Sequence, residues 1–357
     1  MRLPRGIRIE RRLELPRRTS AALSAVFILL SFLVASAVFE MMGVNSVRTL
    51  STVVSVFLSP PSLLQAVQRG LPIGLAALGL SIAFRMNFWN IGAEGQIYMG
   101  MFAATGMVLI HAYYGLIPEP LLMLSMVLAA FIVGGAYCLL PGFLRGRLDV
   151  NEILPTLMLN YVATLFVDFL VYGPWRDPQG FSFPLSIPFP QYARMDSFLG
   201  HSSYLGLLIM VVIAFLVYGL MQRTTLGFEM RVVGQNLEAA RYAGISIFRT
   251  LLIGSFIAGG LAGIGGFTLV SGLIGRLRPR ASPGYGYTAI IVAFLAGLNP
   301  WLIIPAAVFF GGLLVAGETI QAALNLPFAA VQVFQAIIFI MIIVAEFIKR
   351  YRVSIRI

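Results

Sequence analysis

A chain of 357 residues that is 59% hydrophobic and 11% charged, with a mean hydropathy of +0.90, is not a soluble globular protein. Apolar runs of membrane-span length recur along it, and no hydrophilic stretch is long enough for a soluble domain, so it reads as an all-α, polytopic membrane domain. The net charge of +11 comes from arginines grouped at the ends of apolar runs, which argues for membrane topology and against nucleic acid.

Residues 1–20 carry seven Arg and two Glu and read as a basic cytoplasmic N-terminus. The apolar run that follows ends in small residues suited to signal cleavage. Its length of about 19 residues and the spans behind it favour a retained first span, 21–41. Further spans are read at 64–84, 92–114, 119–143, 152–173, 203–222, 248–271, 284–298, 301–322 and 330–348, about ten transmembrane or half-crossing helices within 21–348. The tail 349–357 is basic again, through Lys349, Arg350, Arg352 and Arg356, so both termini are expected in the cytoplasm. Two spans are short. Gln65, Gln68 and Arg69 cut into 64–84, and Asn299–Pro300 cuts 284–298, so either is expected to be re-entrant or half-crossing.

Arg145, Arg147, Arg223, Arg231, Arg241 and Arg249 fall in loops that this map places inside. Arg276, Arg278 and Arg280 fall outside, which implies a miscounted span or a basic outer mouth. The external loop 174–200 holds five prolines and is expected to cover the outer face, receive a partner, or simply connect. "LGLSIAFRMNFWN" before "IGAEGQIYMGMFAA" echoes "YTAIIVAFLAGLNP" before "WLIIPAAVFFGGLLVAGE", a pattern that suggests a two-fold internal repeat.

The dense polar cluster "NFWNIGAEGQ", 87–96, interrupts an apolar region. Lipid cannot satisfy its side chains, so they must face protein or a water-filled path. Asn87, Asn90, Glu94 and Gln96 have the amides and carboxylate to bond sugar hydroxyls or base edges, and Phe88 and Trp89 can stack a base. The competing reading is that the cluster stitches helices together. Asn299, Glu318 and Gln321 are further candidates for the pathway, with buried structural bonding as the alternative for Glu318. Asp149 and Glu152 fit a capping box, Asp168 is placed to pair with Arg176, and Gly259 and Gly263 have small-residue spacing for helix packing.

Residues 223–250 form the longest charged loop between spans. Asn236 can cap a short helix that Gly244 ends, and Ala239, Ala240 and Ala243 give that helix a small-sided surface suited to a groove on another protein. No phosphate-binding GxxxxGK[ST] motif is present, since Lys349 is the sole lysine. Cys138 reads as a buried structural residue, His111 and His201 are far apart, and no catalytic constellation or metal site is expected.

"NIGAEGQ" at 90–96, "VNEILPTLMLNYVA" at 150–163, "GQNLEAARYAGIS" at 234–246, "GGLAGIGG" at 259–266, "GYGYTAIIVAFLAGLNP" at 284–300 and "GETIQ" at 317–321 occur in family order. On these the chain resembles the nucleoside and simple-sugar permease subunits of bacterial ABC importers, within the branched-chain amino acid and monosaccharide permease superfamily. The resemblance implies a multi-pass protein of the bacterial cytoplasmic (inner) membrane with no cofactor of its own, ATP being bound by a separate subunit. It also implies a second permease chain in a homo- or heterodimer and an extracytoplasmic substrate-binding protein. It assigns ATPase coupling to 234–246, with Gly234, Asn236, Glu238, Ala239, Ala240, Arg241, Tyr242 and Gly244. One departure is "GYGYTAII", where related permeases more often have "GFxGIAVA", which puts Tyr285 and Tyr287 against the path or into packing. The expected function is ATP-driven nucleoside import by alternating access. The alternatives are monosaccharide transport, or an ion-coupled secondary transporter using Glu94 and Glu318.

Overall fold

Hydrocarbon satisfies no backbone N–H or C=O, so runs this apolar fold as helices. The computed structural model describes residues 7–11, 17–41, 46–181, 183–196, 200–324 and 328–355, and is helical in every expected span. The helices are α1 (Arg17–Met41), α2 (Ser46–Leu58), α3 (Pro60–Arg85), α4 (Ala93–Tyr114), α5 (Glu119–Leu148), α6 (Ile153–Tyr172), α7 (Ser202–Arg223), α8 (Thr225–Gln235), α9 (Leu237–Tyr242), α10 (Ile247–Phe267), α11 (Tyr285–Leu295), α12 (Pro300–Leu324) and α13 (Phe328–Arg350). A π-helical turn, Thr268–Ile274, prolongs α10. Among the described residues seven helices are long and apolar enough to cross a bilayer: α3, α4, α5, α6, α7, α10 and α12.

The chain forms two compact units, one of Met1–Leu63 with Leu313–Ile357 and one of Leu64–Gly312. In the first, α1 packs on α13, and strand β1 (Ile7–Arg11) pairs antiparallel with β2 (Tyr351–Ile355), Ile7 opposite Ile355. That pairing puts the strand before α1 and the strand after α13 on the same side of a bilayer. The sequence map left α2 unassigned. It is 13 residues long, too short to cross, and amphipathic: Val53 and Val56 are buried while Val54 and Leu58 are exposed.

In the second unit α3 and α10 are the most buried of the spans, and α5, α6 and α7 keep exposed apolar faces. The reason is side-chain size. A Cβ on Gly79 of α3 would strike the Ala258 carbonyl of α10, and one on Gly263 of α10 would strike the Ala130 carbonyl of α5. Backbones therefore meet directly, as the small-residue spacing at Gly259 and Gly263 implied.

Span 64–84 is no half-crossing helix. α3 runs for 26 residues, and two of the polar side chains in its first half, Gln68 and Arg69, bond to neighbouring elements. Gln68 Nε2 donates to Ser202 Oγ at 2.7 Å and to the Gly272 carbonyl at 2.6 Å, and Arg69 Nη1 donates to Tyr285 Oη at 3.3 Å. Span 284–298 is the short one. α11 has 11 residues, about 16 Å at the usual rise and half of a hydrocarbon core. Gly297 (φ 58°) and Leu298 (φ 60°) turn the chain, and Asn299 Oδ1 then accepts from Trp301 N to start α12.

The capping box does not form. Glu152 makes no cap bond to its own helix. Its Oε1 instead accepts from Trp89 N at 2.9 Å, and its Oε2 pairs with Arg145 at 3.4 Å, because the 86–92 loop arrives beside it. Nor does Asp168 pair with Arg176: its Oδ1 is buried with no hydrogen-bond partner among the described residues.

Loops 86–92, 149–152 and 224–246 thus gather on one face. On the other, the proline-rich loop is fastened to 271–277, with Ser186 N donating to the Leu277 carbonyl, Phe189 N to Gly275 and Met195 N to Ser271. It is more than a connector.

Candidate functional site

The half-length helix α11 is the centre of the site. Its first turn would leave N–H groups unsatisfied at membrane depth. Ser282 Oγ accepts from Gly284 N and Tyr285 N, and Glu94 Oε2 accepts from Gly286 N at 2.7 Å. Glu94 comes from the first turn of α4 and is 5% exposed. Three consecutive residues of α11 are therefore held by three other helices: Tyr285 by Arg69 of α3, Gly286 by Glu94 of α4 and Tyr287 by Asn160 of α6, whose Nδ2 donates to Tyr287 Oη at 3.1 Å. Helix ends of this kind, in the middle of a membrane protein, are where transport sites form.

The rest of the "NFWNIGAEGQ" cluster divides in two. Asn90 and Gln96 are buried and their amides bond each other reciprocally, both at 3.0 Å, while Asn90 Oδ1 also accepts from Gly92 N. Phe88 is fully buried. These residues stitch the break between α3 and α4. Asn87 and Trp89 point outward, with Trp89 44% exposed and its Nε1 donating to Asn87 Oδ1. Trp89 lies against Phe84 and Phe294, which stack at 4.8 Å and 15°. The two helix breaks meet here, since Arg85 Nη2 donates to the Leu298 carbonyl at 2.8 Å. Asn299 is exposed at the second break. Glu318 and Gln321 lie one turn apart on α12 in the other unit, Glu318 exposed and Gln321 partly buried.

Sequence reasoning missed Asn160. Its Oδ1 accepts from Gly95 N at 2.7 Å, and its Nδ2 donates to the Ile91 carbonyl as well as to Tyr287, so one side chain ties α6 to both α4 and α11. The available signal was a polar stripe at helical spacing, Thr156–Asn160–Thr164–Asp168, along an otherwise apolar α6. Tyr287, noted only as a departure, keeps 39% of its surface exposed beside Tyr161, which is 60% exposed.

On the face that carries the 86–92 loop, Thr224 caps α8, and Asn236 Oδ1 accepts from Glu238 N and Ala239 N to cap α9. Gly244 (φ 72°) ends the turn, its N–H bonded to the Arg241 carbonyl. Ala240 is buried beneath α9, while Leu237, Glu238, Ala239, Arg241 and Tyr242 are exposed, Tyr242 by 94%. A Cβ on Gly234 would collide with the Arg85 carbonyl, so α8 rests directly on the backbone where α3 turns into the polar loop. A cavity of about 300 Å³, lined by Met86, Asn87, Arg145, Arg147, Leu237 and Arg241, lies beside that contact.

A family model described as branched-chain amino acid transport system / permease component matches residues 62–345. The chain belongs to this permease family. It is 34% identical over 324 residues to the glucose ABC transporter permease protein TsgB13 of Haloferax volcanii, covering 88% of this chain and 82% of that one. It is 28% identical over 285 residues to the guanosine ABC transporter permease protein NupP of Bacillus subtilis, with 78% and 80% covered. The nucleoside ABC transporter permease protein NupB of Lactococcus lactis is 30% identical over 261 residues, 71% of each chain. The permease is thus the multi-pass transmembrane subunit of an ABC importer in the inner membrane. ATP hydrolysis resides in a separate subunit, which closes the ion-coupled alternative. The family implies, in general, an ATP-binding subunit, a partner permease and a substrate-binding protein.

Proposed function

We propose that the permease imports nucleosides by alternating access, with ATP binding in a separate subunit moving α8 and α9. The observation that carries the mechanism is the contact of Gly234 with the Arg85–Met86 backbone. A push on α9 reaches the 86–92 loop through that contact, and from there Arg85 and Trp89 reach the C-terminal end of α11. The exposed Asn236–Gly244 turn is the docking element. Arg145, Arg147, Arg223 and Arg241 lie on this face, which we assign to the cytoplasm together with both termini. The proline-rich loop then faces outward. The partner permease completes the path, as the exposed faces of Tyr161, Tyr287 and Trp89 need a second wall.

In the path, Trp89 and Tyr287 offer aromatic faces for a base, and Asn87 offers an amide for its edge. Glu94, Asn90, Gln96 and Phe88 act through position, holding the two breaks in register. Asn299 caps the first turn of α12. We read the matched breaks after Phe84 and Phe294 as the meeting point of two related halves.

The nucleoside assignment draws on these aromatic faces and on the relatives named for guanosine and nucleosides. A monosaccharide is the second reading, favoured by the identity to the glucose permease. Competition decides between them. In proteoliposomes holding the full transporter, unlabelled guanosine or uridine should abolish uptake of labelled nucleoside and excess glucose should not. ATP-dependent uptake of glucose alone would overturn the substrate and leave the coupling scheme intact.

A further inference from the structure

Helix α5 has 30 residues, about 45 Å at the usual rise, against a hydrocarbon core of about 30 Å. The excess lets its last turn, which carries Arg145 and Arg147, stand clear of the acyl chains at the depth of lipid phosphates. One stripe of the helix leads there. Ile132, Ala136, Leu140, Phe143 and Arg147 follow one another at helical spacing, and all are exposed. The first four are apolar and the fifth is a guanidinium, the order in which a phospholipid presents its chain and its headgroup.

Arg147 lines the cavity of about 300 Å³ beside the Gly234 contact, together with Arg145 of the same helix and Arg241 of α9. Asp149 lines it too, 3.2 Å from Arg145, and Glu152 meets the same guanidinium at 3.4 Å. Both acids are thus engaged by Arg145. Arg147 and Arg241 have no ion-pair or hydrogen-bond partner among the described residues. The cavity offers two unanswered guanidinium groups from two different helices. A neutral nucleoside or sugar brings them no counter-charge. A phosphate does, since its oxygens accept from two guanidinium groups at once. Basic recesses between helices on the cytoplasmic side of a membrane take anionic lipid headgroups for this reason.

We infer that this cavity binds the phosphate of an anionic phospholipid from the cytoplasmic leaflet, with an acyl chain lying along the Ile132–Phe143 stripe of α5. The inference rests on the cytoplasmic orientation proposed above. A phosphate held by Arg147 and Arg241 ties α9 to the end of α5, so the lipid bears on the exposed turn proposed to meet the ATPase subunit.

The test uses the complete transporter in phosphatidylcholine nanodiscs doped with nitroxide-labelled phosphatidylglycerol. It reads the immobilised lipid fraction by electron paramagnetic resonance, with labelled phosphatidylcholine as the reference. The wild type should immobilise phosphatidylglycerol in preference to phosphatidylcholine. The double variant R147Q/R241Q should weaken that preference on the order of tenfold or more. R223Q removes an exposed charge from the same face without touching the cavity, and should keep the wild-type preference. Monodisperse elution reports assembly, and R147Q alone, at an exposed position, keeps the test alive if the double variant fails to assemble. No preference in the wild type would overturn the inference and leave the cavity to the ATPase subunit. Equal losses in R223Q and R147Q would overturn it too, reducing the effect to general surface charge. So would full displacement of the labelled lipid by glycerol phosphate, which would make the ligand a soluble phosphate. The discs present lipid to both faces and uptake is not read, so neither a reversed orientation nor a hexose substrate would imitate failure.

Discussion

The contact between Gly234 and the Arg85–Met86 backbone makes a sharp prediction. In Gly234→Ala the new methyl would fall on the Arg85 carbonyl and lie 3.0 Å from the Met86 carbonyl carbon. Ordinary van der Waals separation then requires α8 to retreat by on the order of 1 Å. Overpacking of this kind costs about 1–3 kcal/mol, while Ala in place of Gly within a helix returns about 1 kcal/mol. Folding should therefore change little, and the lesion should fall on transmission. If the displaced contact withholds about 1.4 kcal/mol from the conformational step, the coupled rate falls roughly tenfold. The assay is paired: ATP hydrolysis and nucleoside uptake in the same proteoliposomes. ATPase activity should stay within about twofold while uptake falls roughly tenfold. Gly219→Ala is the control, since nothing lies within 4 Å of its added methyl. Equal uptake-to-ATP ratios in the two variants would refute the reasoning.

Further outcomes follow from the clamp around α11. Glu94→Ala strands the Gly286 N–H, a loss of about 1–3 kcal/mol that should lower the unfolding temperature and abolish uptake, whereas Glu94→Gln keeps an acceptor and should restore part of both. Asn160→Ala breaks bonds to Gly95, Ile91 and Tyr287, so its uptake defect should exceed that of Tyr287→Phe; the reverse order would contradict the clamp. Gly263→Ala drives a methyl into the α5 backbone and should destabilise the chain by about 1–3 kcal/mol in thermal unfolding. Asn236→Ala removes a cap worth about 1 kcal/mol from an exposed helix, so ATPase-subunit binding should weaken while the unfolding temperature holds.

The helical map was legible because apolar length is a strong signal, and the cap of α9 because Asn236 and Gly244 act on their own backbone. What the sequence hid was pairing across distance. Gln68 and Arg69 looked too polar for a full span, since their partners, Ser202, Gly272 and Tyr285, lie more than a hundred residues away. Asn90 and Gln96 invite a substrate until the Gly92 turn is seen to bring their amides together. Asn160 belongs to a polar stripe on α6, Thr156–Asn160–Thr164–Asp168, but the stripe marks a face of the helix and does not name the three groups that Asn160 bonds. Glu152 follows the same rule: its local motif suggested a capping box, but the incoming Trp89 N–H outcompeted it.

The central claim is that nucleotide binding in the separate ATPase subunit, passed on through α9, moves α11. Trp89, packed on Phe294, reports on that movement. The chain has three tryptophans, so Trp175→Phe with Trp301→Phe leaves Trp89 as the single tryptophan of this subunit. The measurement is its emission in the assembled transporter, with partner tryptophans likewise replaced, before and after a non-hydrolysable ATP analogue. The account predicts a shift as the stack opens, and its loss in Gly234→Ala. Unchanged emission in a transporter that still carries out ATP-driven uptake would contradict it.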